Sequence, residues 1–470
     1  MLSILLQKLK WGLSFLFSAK QREFREDEEF FEKKGRLPLQ TSKKSQKNKP
    51  EHVFQSVLDP ECTHCGSTEN IKRGTRKTKK GRVQLYRCRE CERTFTPDSI
   101  TGKHFNRIVI LEALIFYQLG FSLEDTARIL KAKFEVAVAP STISEWVEEY
   151  TWLCPYSRMR PYGKKMYHPK DICETYSMAH RQIYKFRFHK AKTRLILEED
   201  YRHRNFDSIL EYLENVTSET PHQLFQDGER ASRAPLKFSK KQMIVRGKRN
   251  YATKLASFVL SGVQNRNMRH EALQRFMIAT DSVTVATEVP VYIRKEDLVH
   301  MKTQLGFELY TRRDEEDKKE IRAMYTEQEK KEEKKKSSKK AKKEENEKWF
   351  NIRYRIAEID DLPDLVTGHI DFLQIRNGSI HILDYKGEGA DNVKPIEQLT
   401  IYALALSRLT GLRVYHFKCA WFDEKTYHEF FPLHVVYKKK KGRRKKVKTK
   451  EGIYKLNEKA GRIDDMKPMA

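Results

Sequence analysis

GHIDFLQIRNGSIHILDYK, residues 368–386, alternates apolar and polar side chains as a β-hairpin does, with strands near 368–376 and 379–386. Ile370, Phe372, Ile380, Ile382 and Leu383 make this a largely buried strand pair, where an unpaired acid is expensive. Yet the hairpin carries Asp371, Asp384 and Lys386. The two aspartates can lie side by side on adjacent strands, and Lys386, two residues beyond Asp384, shares its face. Two carboxylates beside one lysine suit Mg²⁺ or Mn²⁺: hard oxygens hold the ion, and the ammonium can polarise or help deprotonate an attacking water. Phosphodiester hydrolysis is a reaction that needs both. The plain alternative is an exposed hairpin whose charges face solvent.

Length and charge bound the rest. A chain of 470 residues is long enough for two or three domains, each with its own core. The formal net charge of +28 is far beyond what solubility requires and points to a polyanionic partner, with nucleic acid as the default. An acidic membrane surface is the rival, because MLSILLQKLKWGLSFLF at 1–17 can form an amphipathic helix with Lys8 and Lys10 on its polar side. That run is too short and too interrupted by charge to span a bilayer, and no small-residue cleavage site follows it. A helix that docks on the protein, and no membrane partner, is therefore expected. Four of the seven cysteines form two CxxC pairs, which suits metal binding in a reducing, cytoplasmic setting on DNA better than disulfides.

Composition divides the chain. Residues 35–51 have almost no apolar content and read as a linker, and the 312–348 region, with EKKEEKKKSSKKAKKEENEK, reads as a charged insertion. The tail run YKKKKGRRKKVKTK at 437–450 carries one sign only and is the better candidate for a phosphate contact. CTHC at 62–65 and CREC at 88–91 supply Cys62, Cys65, Cys88 and Cys91, the four thiolates of a zinc ribbon. Such a closed shell leaves no place for substrate water, so this Zn²⁺ is structural, and His64 is a bystander. Three helical segments follow. Gly120 breaks the first, Ser122 caps the second, and Pro140 with Ser141 opens the third, STISEWVEEY, in the manner of a helix-turn-helix with a recognition helix. An ordinary three-helix bundle has the same composition.

With YRCRECERTFT, SLEDTARIL and STISEWVEEY in hand, residues 55–150 resemble the ribbon and helix-turn-helix of insertion-sequence transposases, a module that recognises element ends and whose bearers often pair as dimers. The RNase H-like acids of that family have no convincing counterpart downstream. Residues 154–259, rich in His, Arg and Tyr, read as a basic helical connector.

The hairpin itself resembles the PD-(D/E)xK nuclease superfamily, in its RecB-like exonuclease branch. GHID matches that branch's GxxD element and LDYK its (D/E)xK element, while EQLTIYALAL supplies the QxxxY signature as Gln398 and Tyr402 on one helical face. His270 in MRHEALQRFM and Glu288 in ATEVPVYI match the branch's upstream histidine and glutamate. The resemblance implies Asp371 and Asp384 as metal ligands, the Tyr385 carbonyl as a further ligand and Lys386 as the catalytic lysine. It also implies Glu288 as a third acid, with Glu358 and Asp360 as competitors, and His270 as a metal or phosphate contact. Gln398 and Tyr402 would position DNA or brace the site. Some nucleases of this branch hold an iron–sulfur cluster; Cys154, Cys173 and Cys419 do not fall where its cysteines would, so no cluster and no small-molecule cofactor are expected.

These readings assemble into a multidomain α+β protein. An N-terminal helix and linker (1–54) precede a four-cysteine zinc ribbon (55–104), a three-helix helix-turn-helix (105–153) and the helical connector (154–259). An α/β restriction-endonuclease-like nuclease core with a mixed central sheet (260–437) and a basic tail (438–470) complete it. The expected function is a Mg²⁺- or Mn²⁺-dependent deoxyribonuclease of a mobile element, virus or defence system, acting on DNA, as a homodimer if it pairs as the ends-binding proteins do. The alternatives are a DNA-binding regulator or structural factor on an inactive nuclease fold, and a transposase with its acids within 155–300, Asp281 or its neighbours among them.

Overall fold

The computed structural model describes residues 62–78 except 63, 66 and 68, then 81–96, 103, 105–238, 245–248, 250–261, 263, 266–331, 348–387 and 395–437, with short strands at 446–449, 452–455 and 467–468. The expected N-terminal helix and linker, the centre of the charged insertion and most of the basic tail lie outside them. Among the described residues no helix is long and apolar enough to cross a membrane.

The first module is small. β1 (Asn70–Thr78) and β2 (Gly81–Cys88) form an antiparallel hairpin, and β3 (Thr94–Phe95) adds to β2. Its buried residues, among those described, are Cys62, Tyr86, Cys88 and Phe95, a core too slight to hold a fold without a crosslink. Three helices follow: α1 (Arg107–Gln118), α2 (Leu123–Phe134) and α3 (Pro140–Glu149). The Asn106 side chain accepts from the Ile108 N–H to cap α1, and Ser122 does the same for Asp125 at α2. Gly120 turns between them with φ +92, and a Cβ there would stand 2.8 Å from Ile172 Cδ1. The exposed residues of α3 are Ser141, Glu145, Glu148 and Glu149, an acidic face.

Residues 154–259 depart from the helical connector read in the sequence. They do contain α4 (Met159–Met166), α5 (Lys190–Glu199), α6 (Asp207–Glu219), α7 (Leu224–Asp227) and α8 (Tyr251–Leu260). They also contribute β4 (Cys173–His180), β5 (Gln182–His189), β6 (Glu229–Arg230), β7 (Lys237–Phe238) and β8 (Arg246–Lys248). Four of these five strands, all but β7, join the central sheet. The physical reason lies in β5. Its aromatic residues Tyr184, Phe186 and Phe188 alternate with Lys185 and Arg187, and that basic set, which looks solvated, is drawn inward by Glu271.

The rest of the sheet comes from the hairpin and its neighbours. After α9 (Arg266–Thr280) come β9 (Thr284–Arg294), α10 (Lys295–Thr303), β10 (Leu309–Arg312), α11 (Glu315–Lys331) and β11 (Tyr354–Ile356). β12 (Leu365–Arg376) and β13 (Ser379–Tyr385) are the decisive hairpin, followed by α12 (Ile396–Thr410), β14 (Phe417–Phe422) and β15 (Tyr427–Phe430). Asn377 and Gly378 form the hairpin turn with φ of 52° and 66°, the left-handed pair that two-residue hairpins require. Strand order is β4-β5-β9-β12-β13-β14-β15-β8, with β6 alongside β12. β13–β14 and β6–β12 are parallel and the other pairings antiparallel, so the sheet is mixed, consistent with a restriction-endonuclease-like core. One core holds α6, α12 and much of the sheet, while the other joins α1–α3, α8 and α9 to Phe372, Leu383, Tyr385 and Phe422. The three helices are thus packed into the body of the protein. Arg107 Nη1 donates to the Phe258 carbonyl at 3.0 Å, and Arg275 Nη2 reaches Glu112 at 2.8 Å.

Candidate active site

The pairing register brings the acids together. Phe372 lies opposite Leu383, which sets Asp371 beside Asp384 on β13. On its other side, Ile370↔Val289 and Phe372↔Thr287 bracket the position where Asp371 meets Glu288 of β9. Three carboxylates therefore share one row across β9, β12 and β13. Glu288 holds φ 51°, a left-handed conformation inside an eleven-residue strand, which costs on the order of 1–3 kcal/mol in a residue with a Cβ. The alternation of the sheet changes at the same row. Ile370 and Leu373 both belong to the larger core although they stand three apart, while Phe372 belongs to the other. Val289 and Ala286 repeat this on β9. A kink here re-aims the acids while the flanking residues stay in the core.

Burial dominates the electrostatics of this row. It raises Asp384 to about 8, with the neighbouring Asp371 charge adding to the effect. It raises Asp371 to about 7, where Glu288 is the second cause, and Glu288 itself to about 7. Few donors offset this. The Tyr385 N–H donates to Asp371 Oδ2 at 3.0 Å, and Gln274 Nε2 donates to Glu288 Oε1 at 2.7 Å. Lys386 Nζ stands 2.6 Å from Asp384 Oδ2, which is buried and accepts no aligned hydrogen bond. His270 Nδ1 lies 3.5 Å from Asp371 Oδ2. Three carboxylates in one buried to half-buried row beside a single lysine disfavour full ionisation by themselves, and the Asp384 oxygen without an aligned hydrogen bond is a hard donor that fits a divalent cation of the Mg²⁺ or Mn²⁺ type.

Gln398 and Tyr402 sit on α12 and act on one another and on β12. Gln398 Nε2 donates to the Tyr402 hydroxyl at 2.8 Å. The Tyr402 ring lies over Gly368, where a Cβ would fall 2.2 Å from Tyr402 Cε1. This contact explains a glycine three residues before Asp371: no other residue lets the buried tyrosine reach the strand. The competing acids are elsewhere. Glu358 and Asp360 are exposed in the loop before β12. Asp281 is buried as a turn anchor, accepting from the N–H groups of Val283 and Thr284, with Lys192 3.4 Å away.

Several supporting residues escape a reading of the sequence. Gln274, one helical turn beyond His270 on α9, holds Glu288, and the i,i+4 spacing is the signal that could have found it. Glu424, in the turn after β14, accepts from the Tyr385 hydroxyl at 2.8 Å and pairs with Arg269 beside His270. Glu271 ties α9 to β5 through Lys185 at 2.9 Å and Arg187 at 3.0 Å, which no local pattern announces.

A second cluster lies in the N-terminal module. The sulfurs of Cys62, Cys65, Cys88 and Cys91 lie within 4.8 Å of one another. Cys62–Cys91 and Cys65–Cys88 are 3.5 and 3.4 Å apart. A tetrahedron with Zn–S of about 2.3 Å has sulfurs about 3.8 Å apart, so the set is compatible with zinc. The His64 main-chain N–H points to Cys62 Sγ at 3.4 Å.

The model of the PD-(D/E)XK nuclease superfamily matches residues 267–462. It begins at α9, takes in every residue of the acid row together with Lys386, Gln398 and Tyr402, and runs into the basic tail. It does not reach the cysteine module or the three helices. No curated protein and no solved structure matches the chain.

Proposed function

We propose that the protein is a metal-dependent deoxyribonuclease that hydrolyses phosphodiester bonds at the row formed by Glu288, Asp371 and Asp384. The observation that carries this is the buried Asp384 in one row with the half-buried Asp371 and Glu288 on adjacent strands, with Lys386 beside Asp384, a set whose crowded charge a divalent cation would balance. Those carboxylates and the Tyr385 carbonyl would hold Mg²⁺ or Mn²⁺. Bound there, the ion would neutralise the scissile phosphate and acidify a water. The chain's own groups do the rest. The Lys386 ammonium balances charge building up at the phosphate and steadies the attacking oxygen, while the Tyr385 N–H and Gln274 fix the orientation of Asp371 and Glu288. Tyr402 and Gln398 brace β12, and His270 contributes a neighbouring polar contact.

The DNA substrate and its targeting rest on charge. The exposed hairpin residues Lys72, Arg73 and Arg76 are suited to phosphates, with structural Zn²⁺ on the four cysteines holding the hairpin. The acidic face of α3 favours the ribbon over that helix as the contact. A mobile element, virus or defence system is the setting that the transposase-like N-terminus supports.

The test incubates the protein and Lys386→Ala with linear and circular DNA, single and double stranded, in Mg²⁺, Mn²⁺ or EDTA. The expected result is metal-dependent cutting, reduced at least about 100-fold in the variant. Equal binding with no cutting by either protein under any condition would leave a DNA-binding regulator on an inactive fold.

A further inference from the structure

Beside the acid row lies a polar chain that the hydrolytic chemistry above does not use. His369 follows Gly368 on β12, two residues before Asp371 and so roughly 6.7 Å along the strand. His369 Nε2 is 2.8 Å from His180 Nδ1, and His180 Nε2 is 2.7 Å from His222 Nδ1. His180 is buried and His222 is exposed, so three imidazoles run from the surface to β12. Aromatic rings clamp the chain. Tyr184 stacks on His369 with centroids 3.6 Å apart, and Phe225 stacks on His180 at 4.1 Å. Burial, with His222 as second cause, holds His180 down to about 4, so the central ring is neutral at ordinary pH.

With its central ring neutral, the chain has a direction. If the His222 Nδ1–H donates to His180 Nε2, then the His180 Nδ1–H donates to His369 Nε2, and His369 keeps its own Nδ1–H as a donor. An anion at that nitrogen selects this direction. A cation stands next to it. β6 pairs in parallel with β12 so that Arg230 lies opposite Thr367, two residues from His369. Among the described residues the Arg230 guanidinium has no hydrogen-bond or ion-pair partner, although it is half-buried. The strand that carries it is fixed in place. Arg181, with φ 58°, donates from Nε to the Gln226 carbonyl at 2.7 Å and from Nη2 to the Gly228 carbonyl at 3.0 Å. Its nitrogens are not buried away from water, so the guanidinium stays open to an anion arriving from solvent.

We propose that Arg230 and His369, with Tyr184 backing the imidazole, form a phosphate subsite that holds the nucleic-acid strand at the phosphate next to the scissile one. The subsite deepens the nuclease reading and rests on it for the identity of the ligand. Arg230 supplies charge and a planar fork, and His369 supplies one directed N–H. His180 is a positioning residue, because it sets which nitrogen of His369 carries the proton.

The experiment measures binding of a fluorescent single-stranded oligonucleotide by anisotropy in Ca²⁺, from about 50 to about 200 mM salt. For Arg230→Gln the slope of log K against log salt is expected to fall by about one contact, whereas Arg230→Lys keeps the wild-type slope. His180→Gln is expected to weaken binding several-fold with the slope unchanged. An unchanged slope in a folded Arg230→Gln protein overturns the subsite. Should that variant fail to fold, the wild-type protein is tested on oligonucleotides carrying one uncharged methylphosphonate at each position in turn. Weakening at a phosphate adjacent to the cut supports the subsite, and no weakening there overturns it. A lowered slope in a protein that cuts nothing keeps the phosphate subsite and sinks the nuclease reading. Cutting with an unmoved slope does the reverse.

Discussion

Replacing Gly368 by alanine is the sharpest single test of how the site is braced. The new Cβ would stand 2.2 Å from Tyr402 Cε1 and 2.9 Å from both Cζ and the hydroxyl oxygen. Ordinary carbon contacts are about 3.5–4.0 Å, so relief requires a movement of roughly 1.3 Å or more. Neither side can give easily. β12 is held between β9 and β13, and Tyr402 is buried with its hydroxyl bonded to Gln398. Overpacking of a tight core costs about 1–3 kcal/mol, and a clash with a fixed ring belongs at the upper end, about 3 kcal/mol. The reciprocal change, Tyr402→Ala, leaves a cavity and costs about 3–5 kcal/mol. In the double variant the added methyl enters that cavity, so the Gly368→Ala step there costs less than about 0.5 kcal/mol, a coupling of about 2–3 kcal/mol. Urea unfolding followed by tryptophan fluorescence gives all four corners of the cycle. The reasoning fails if Gly368→Ala costs under about 0.5 kcal/mol in the wild-type background, or costs the same in both backgrounds.

Two further outcomes follow from the acids and the cysteines. In the folded, metal-free protein Asp371 and Glu288 titrate near 7 and Asp384 near 8, all above the roughly 4 of an unfolded chain, so the folded state binds more protons between pH about 4 and about 8. In EDTA the melting temperature should therefore fall as pH rises through that window, Mn²⁺ should restore more at pH 8 than at pH 6, and Asp384→Asn should flatten both trends; a pH-independent melt contradicts this. Cys88→Ser, or chelation, should release about one equivalent of zinc and melt the 62–95 module, read by metal analysis and by proteolysis there, while the fold from α9 onward persists.

Much of the geometry of the candidate site was legible because its signals are local. A two-residue alternation marks the β12–β13 hairpin, and an i,i+4 spacing joins Gln398 to Tyr402. Glu288 could be matched to a motif but not placed, because its position opposite Asp371 is a matter of register between strands far apart in the chain. The kink at that row hides it further, since Ile370 and Leu373 break the alternation that a strand should show. β4 and β5 were illegible for a different reason. Lys185 and Arg187 look solvated in sequence, and only the position of Glu271 on α9 makes them interior residues.

That helix also gives the N-terminal helices a role that needs no groove reading. α9 presents His270 and Gln274 to the acid row, and Glu271 to β5. A further charged residue of the helix, Arg275, meets Glu112 of α1, and the same Glu112 oxygen accepts Lys133 of α2 at 2.9 Å. One nearly buried carboxylate thus joins three helices through two cations. Removing it would leave those cations without their partner at the interface, the costly way to break a buried ion pair. Glu112→Gln keeps the shape while removing the charge. If α1–α3 act as the wall that holds α9 in place, this variant should lower cutting through kcat and leave the salt slope of DNA binding unchanged. If the helices instead read DNA as a separate module, the variant should spare kcat, because nothing at the acid row touches Glu112 directly.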